Sequence, residues 1–269
     1  MAKKLRLRKR VYVLFAGIIA LCLALTLVHV FVLSKNEYTI KSYSYTSTKL
    51  PRRYDGFKVA FISDVHLETN DDITRFAKII KDLNTHHFDL ALFGGDLYYS
   101  KAFKSAKVTS SLSSIHADYG KFAVLGDEDA STKQTTTLLE GSGFEVLDNE
   151  ERPLYYNDST INLYGLSTDP KPSIVKNNTF SLVFTHYPDT FINTAGSCNL
   201  QLSGHSEGGS VVFPFVGGLI KRSNAQKYIN GSYTVKSSHL MISNGVSPNP
   251  KTPYKFFAKN EVMIVTLHD

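Results

Sequence analysis

Val59-Ala60-Phe61-Ile62-Ser63-Asp64-Val65-His66 is the stretch on which the fold turns. Its first four residues form a short apolar run of the kind that makes a buried strand. The run gives way at once to Ser63-Asp64-x-His66, so a carboxylate and an imidazole stand at the strand's carboxyl end. Downstream, Ile73, Phe76, Ala77, Ile80 and Leu83 recur at helical spacing, with Asn70 to Asp72 as N-cap candidates. Residues 90–93 repeat the buried-strand pattern, 102–115 carry a weaker helical one, and 122–125 read as a third strand. Strand and helix in alternation predict an α/β sheet with parallel neighbours. The second half is richer in strands, expected at 161–166, 182–185, 200–202, 233–235, 240–243 and 262–267, with no internal repeat.

The polar residues that follow these strands carry the functional signal. After the first come Asp64 and His66, after the second Gly94-Gly95-Asp96, and after the third Gly126-Asp127-Glu128-Asp129. Thr185-His186 and Gly204-His205-Ser206-Glu207-Gly208-Gly209 close two later strands. Ligands of α/β sheets bind beyond the carboxyl ends of the strands, so the five ends converge on one place. Each fragment alone is a common turn or cap; the ordered set points to a metal site. His29, His86, His87, His116, His239 and His268 have no such motif around them and read as ordinary polar residues.

Outside this region the N-terminus is decisive. The chain has 269 residues, with 30 Lys+Arg against 24 Asp+Glu. Six of those cations, Lys3, Lys4, Arg6, Arg8, Lys9 and Arg10, lie in the first ten residues, which leaves the remainder formally neutral. A basic nucleic-acid-binding face is therefore not expected. Residues 11–33 contain no charge and, at 1.5 Å per residue, reach roughly 34 Å, enough to cross a bilayer. A cleaved signal peptide has a shorter apolar region. Cys22 follows bulky Leu21 in mid-helix, a poor lipoprotein site. The chain thus divides into a basic cytoplasmic tail (1–10), a transmembrane anchor in the lipid bilayer (11–34), a polar linker running into an outer strand (35–50) and an exported domain (51–269), with the N-terminus inside by the positive-inside rule. Only Cys198 lies outside the anchor, so core burial must stabilise the domain. Asn157, Asn177 and Asn230 match the Asn-x-Ser/Thr pattern, which matters only in a secretory eukaryotic setting.

Asp64-x-His66, Gly95-Asp96, Gly126-Asp127-Glu128-Asp129, His186 and Gly204-His205-x-Glu207 together resemble the signature of calcineurin-like metallophosphoesterases. Asp55-Gly56-Phe57 and Gly208-Gly209 are similar to the membrane-anchored branch, which includes phosphodiesterases related to UDP-diacylglucosamine hydrolases. The resemblance covers roughly residues 38–267. It implies a four-layer α-β-β-α sandwich with two divalent metal ions at the sheet ends. By position, Asp64 and His66 would hold one metal, His186 and His205 the other, and Asp96 would bridge them. The cations would polarise a phosphoester and lower the pKa of a water for in-line attack.

Three positions depart from the family pattern. Asp127 stands where the family has a ligand Asn, Glu128 where it has the His that protonates the leaving group, and Glu207 where it has a ligand His. Asp127 and Glu207 can both ligate cations, which would raise the carboxylate ligands to four. One added charge about 5 Å from a phosphate costs about 3 kcal/mol at an effective dielectric near 20. The extra carboxylates favour Mn, Mg or Ca over Zn; Mn is the first expectation, with Fe and Zn as alternatives. Glu128 can act as the acid if its pKa is raised, as neighbouring carboxylates would do. The expected function is hydrolysis of a phosphodiester or phosphomonoester outside the cytoplasm, with a lipid-linked or cell-envelope substrate in view of the anchor. The alternative is a degenerate relative that binds metal or ligand without turnover.

Overall fold

The computed structural model describes residues 2–99, 103, 105–129, 133–171, 174, 179–213 and 215–269. Ala102, at the start of one expected helix, and Asn177 lie outside the described residues. The chain begins with α1 (Ala2–Val28), prolonged by a π-helical turn at His29–Leu33. Val11–Leu33 is long and apolar enough to cross a membrane, with none of its most apolar window buried against the protein.

The first half then runs β1 (Tyr38–Thr46), β2 (Lys58–Ile62), α2 (Asn70–Leu83), β3 (Leu90–Phe93), α3 (Ala106–Ser113), β4 (Lys121–Ala123), α4 (Lys133–Gly141) and β5 (Glu145–Val146). The second runs β6 (Glu150–Tyr156), β7 (Ser159–Leu166), β8 (Ser181–Thr185), α5 (Phe191–Thr194), β9 (Leu200–Ser203), β10 (Val212–Phe213), β11 (Gly217–Gly218), β12 (Gly231–Val235), β13 (Ser238–Ile242) and β14 (Asn260–His268). One sheet has the order β1-β14-β2-β3-β4-β5 and the other β12-β13-β9-β8-β7-β6. The strands β2, β3 and β4 are parallel, as are β7, β8 and β9, while β14 returns antiparallel to β2.

The two sheets share a core. Val59 and Phe61 of β2 and Leu90 and Leu92 of β3 meet Leu163, Leu182, Phe184, Leu200 and Leu202 of the other sheet. The alternate residues Ala60, Ile62, Ala91 and Phe93 pack outward on Phe76, Ile79 and Leu83 of α2, Leu112 of α3 and Leu139 of α4. Both faces of β2 and β3 are therefore apolar, which is why they read as continuous runs rather than alternating ones. On the far face of the second sheet, Val183, Leu240 and Ile242 are covered by Phe191 of the four-residue α5, Cys198 and Tyr228. Among the described residues this outer layer is thin, unlike the full helical layer expected there.

Four details differ from the sequence reading. The cap of α2 is Thr69, one residue before the expected span: its hydroxyl accepts from Asp72 N–H, and Asp72 accepts in return from Thr69 N–H at 2.9 Å. The third strand ends at Ala123, so Val124 and Leu125 already belong to the loop. The sequence pattern marks neither helix α4 nor strand β6. Three threonines weaken the helical signal of α4, and β6 is a polar edge strand in which only Leu154 is buried. The segment expected as a linker is tied down. Asn260 Nδ2 donates to the carbonyls of Ser34 at 2.9 Å and Glu37 at 2.8 Å, and β1 pairs with β14 along its whole length.

Candidate metal centre

Strand register sets the site. Ile62 lies beside Phe93, and Phe93 beside Ala123, so the three parallel strands release their chains side by side. Thr185 lies beside Ser203 in the second sheet, which brings His186 and Gly204-His205 out together. The loops after β2 and β3 stay zipped: Asp64 N–H donates to Gly95 O at 3.0 Å and Val65 N–H to Asp96 O at 2.8 Å. Asp64, His66, Asp96 and His205 all have φ between 50° and 64°. Left-handed backbone at four non-glycine residues is strained by roughly 1–3 kcal/mol each and survives only where surrounding bonds enforce it. Gly126 is required by contact: a Cβ there would lie 2.1 Å from Asp96 Oδ1.

Two groups of ligand atoms result, Asp64-His66-Asp96 and Asp96-His186-His205, each with its members within 4.8 Å of one another. Asp96 belongs to both. The outer nitrogens of two histidines are fixed by backbone: His186 Nδ1 bonds Gly94 O at 2.8 Å and His205 Nε2 bonds Ser223 O at 2.6 Å. Both carbonyls can only accept, so these nitrogens are protonated, and the inner ones, His186 Nε2 and His205 Nδ1, 3.1 Å apart, are those that would face a cation once His186 gives up its second proton. Asp64 is oriented by Ser63 Oγ–H at 2.8 Å and by His205 N–H at 3.1 Å. His66 supplies the strongest indication of a missing partner. Both its ring nitrogens are buried without a hydrogen bond, although Nε2 lies 3.2 Å from Glu207 Oε1. These residue types and orphaned atoms fit a pair of divalent cations.

The electrostatics agree. Burial pushes His186 toward its neutral form, but Asp96, Asp64 and Asp127 outweigh it and carry its pKa up to about 10. Burial likewise pushes the Asp96 carboxyl up, and His186 and His66 hold it well below the usual range. A buried imidazole that prefers to be positive marks a strongly negative potential, which suits a cation.

The three substituted positions behave differently. Asp127 is 41 % exposed at the open rim; Oδ2 lies 3.6 Å from His205 Nδ1 and Oδ1 accepts from Tyr187 O–H. Glu128 is half-buried beside it, its backbone N–H donates to Asp96 Oδ1 at 3.1 Å, and burial together with Asp96 raises its carboxyl pKa. Glu207 stands outside both ligand groups. Its Oε1 lies 3.0 Å from Arg222 Nη2, and its Oε2 accepts from Asn249 N–H at 2.8 Å.

Arg222, Lys255 and Asp129 were not expected at the site. Arg222 and Lys255 stand in no motif, and nothing in the local sequence marks them. Asp129 was visible only as part of its motif. It is fully buried and accepts from Leu97 N–H at 3.1 Å and Gly126 N–H at 3.3 Å, clamping the loops after β3 and β4 together. Burial and the neighbouring Asp96 push its carboxyl up to about 6. Elsewhere His87, Asp89 and Asp118 also approach one another, on the surface.

No family model matches the chain. A metallophosphoesterase of Bacillus subtilis, YkuE, is 29% identical over 246 residues, which is 86% of this chain and 84% of that protein. The phosphodiesterase YaeI of Escherichia coli is 24% identical over 71% of this chain and 75% of its own length. Four other relatives named metallophosphoesterases are longer, and the chain spans 52% to 61% of them. A solved archaeal phosphodiesterase matches with a TM-score of 0.39 and 13% identity over 71% of this chain and 85% of that one. Over most of its length the chain is similar in sequence to proteins named metallophosphoesterases, hydrolases of phosphoester bonds.

Proposed function

We propose that this protein is a membrane-anchored, metal-dependent phosphoesterase of the calcineurin-like family that acts outside the cytoplasm on a phosphodiester or phosphomonoester. The observation that carries this reading is the sharing of Asp96 by two ligand groups. In it, Asp64, His66 and Asp96 hold one cation, and Asp96, His186 and His205 the other. Mn suits a set of three imidazoles and two carboxylates. Asp127, at the rim, is a further carboxylate within reach of the second position. Glu207 acts through His66, as a charge beside its ring. The thin layer carrying α5 is the reduced fourth layer of an α-β-β-α sandwich.

Bound cations would supply Lewis-acid stabilisation of the phosphoryl oxygens and a more acidic water. The chain's own residues do the rest. Gly94 O and Ser223 O hold the tautomers of His186 and His205. Ser63 and the His205 backbone fix Asp64. Glu128, on the open side next to Asp96, holds the proton that its carboxyl passes to the leaving-group oxygen.

The test is metal content and hydrolysis of an aryl phosphodiester by the full chain equilibrated with Mn. Two ions per chain are expected, with loss of both ions and of all activity in Asp96→Ala, and loss of activity but not of metal in Glu128→Gln. An Asp96→Ala protein that keeps two ions would sink the assignment of the bridge.

A further inference from the structure

The loop that carries His205 and Glu207 continues into a hairpin, β10 and β11, and returns to the site at Arg222 and Ser223. From Ser210 to Ile220 this excursion has no charged residue. Its side chains turn outward: Phe215 is 109 % exposed, Val216 70 %, and Phe213 and Leu219 are exposed as well. Phe257 on the neighbouring loop is 68 % exposed. Phe215 and Phe257 both sit at positive φ, 68° and 58°, an unfavourable conformation for a bulky residue. The chain holds two strained phenylalanines out of its core.

What covers them follows from their neighbours. Val211 bridges to Phe256 and Phe257, and the rings of Phe213 and Phe256 are 5.6 Å apart, so hairpin and loop form one surface. That surface abuts the apolar helix: Leu25, Thr26 and His29 line a cavity together with Phe256 and Phe257. Leu25 lies eight residues before the end of the span at Leu33, roughly 12 Å along the helix axis. Ser34, Glu37 and Lys259 line the same cavity, so Phe257 lies where the last turns of the span meet the domain. Exposed Lys221 and Lys259 flank the apolar surface, as snorkelling cations do at a lipid interface.

We infer that the hairpin around β10 and β11, with Phe257, is a second membrane contact, seated in the bilayer interface beside the anchor, and that it holds the metal centre against the lipid surface so that it takes phosphoesters of lipid headgroups. The seating is independent of the chemistry; the choice of substrate rests on the phosphoesterase reading above.

The sequence contains no tryptophan, so Phe215→Trp introduces a single reporter into the full chain. In vesicles, its emission is expected to be blue-shifted, quenched by phosphatidylcholine brominated on the acyl chains and shielded from aqueous acrylamide. Tyr155→Trp, on the far edge strand β6, should show the reverse. Quenching of Phe215→Trp by acrylamide as strong as that of Tyr155→Trp would overturn the contact. So would shielding from both quenchers, which would mean that a protein, such as a second copy, covers the hairpin. The substrate half is read with two probes, a nitrophenyl phosphodiester of a long-chain alcohol in vesicles and the water-soluble bis(nitrophenyl) ester. Phe213→Ser/Phe215→Ser should lower the first rate at least fivefold and leave the second unchanged; any other pattern overturns headgroup presentation. A wild-type protein silent on both probes would refute the phosphoesterase reading, and the quenching would still decide the membrane contact.

Discussion

Glu207 is the residue whose meaning changes most between sequence and structure. As an added ligand it would make the site electrically neutral once two cations bound. In the fold it faces Arg222 at 3.0 Å, and Lys255 is buried nearby with its Nζ donating to Asn244 O. Burial lowers the Lys255 pKa to about 8, so it still carries most of its charge at pH 7. The negative charge that Glu207 adds is therefore matched by cations of the chain itself, which offsets the electrostatic cost that this carboxylate would impose on an anionic ester. This also alters the consequence of restoring a histidine at 207, because Arg222 would lose its counter-charge. Breaking a buried pair on one side costs about 3–5 kcal/mol, and the 18 % exposure of Arg222 brings this to about 2–3 kcal/mol. Urea unfolding of the full chain in detergent should show that loss for Glu207→Gln. Glu207→Gln/Arg222→Gln should recover at least half of it; a double variant as unstable as the single one would show that the pair is incidental.

At the scale of the element, α2 joins the anchor to the site. Its capping box ends on Asp72, which also pairs with Lys35 Nζ at 2.9 Å, just beyond the apolar helix. Three residues on, Arg75 donates to the carbonyls of Lys35 at 3.3 Å and Val246 at 3.0 Å and to Ser247 Oγ, and Ser247 N–H in turn donates to Asp64 O at 2.9 Å. Burial pushes the Asp72 carboxyl up, but the bonds from Thr69 and the charge of Lys35 outweigh it and hold its pKa below the usual value. A depressed folded-state pKa means stability that is present above the unfolded value, near 4, and lost as pH falls through the folded one. Asp72→Asn should therefore lower Tm by about 2–4 °C at pH 7, the effect of about 1 kcal/mol of capping. The gap to the wild type should close as the pH is taken from 5 to 3 in parallel thermal melts. A gap that stays constant would mean that the charge of Asp72 contributes nothing.

On the scale of the whole molecule, the anchor and the domain form one body. Ser34 Oγ accepts from Lys255 N–H at 3.3 Å, Asn260 holds three carbonyls of the root, and Phe31 rests on Tyr254 with ring centroids 5.3 Å apart. In the membrane-anchored reading proposed above, the domain would meet the bilayer in a set orientation rather than on a flexible tether. Which side it occupies depends on the six cations of residues 1–10, which outnumber Lys35 and Lys41 beyond the span. Protease added to intact cells is expected to degrade the domain and leave the first residues intact. Complete protection of the domain would place it inside.

What the sequence determined by itself was periodic or punctuated. Apolar runs such as 59–62 and 90–93 mark strands because burial on both faces demands them. The motifs that interrupt them mark one site because parallel strands end together. The 23-residue uncharged span needs nothing beyond its length. Residues that act across the fold left no local trace. Arg222 reaches Glu207 only because a hairpin departs and returns at the same sheet end, and His66 is orphaned only because the core closes around it. The left-handed backbone at Asp64, His66, Asp96 and His205 is likewise a tertiary decision. Asp and His enter this region more readily than most residues, but it persists at all four positions because hydrogen bonds between neighbouring loops over-determine it, so that strain distributed along the sequence becomes convergence in space.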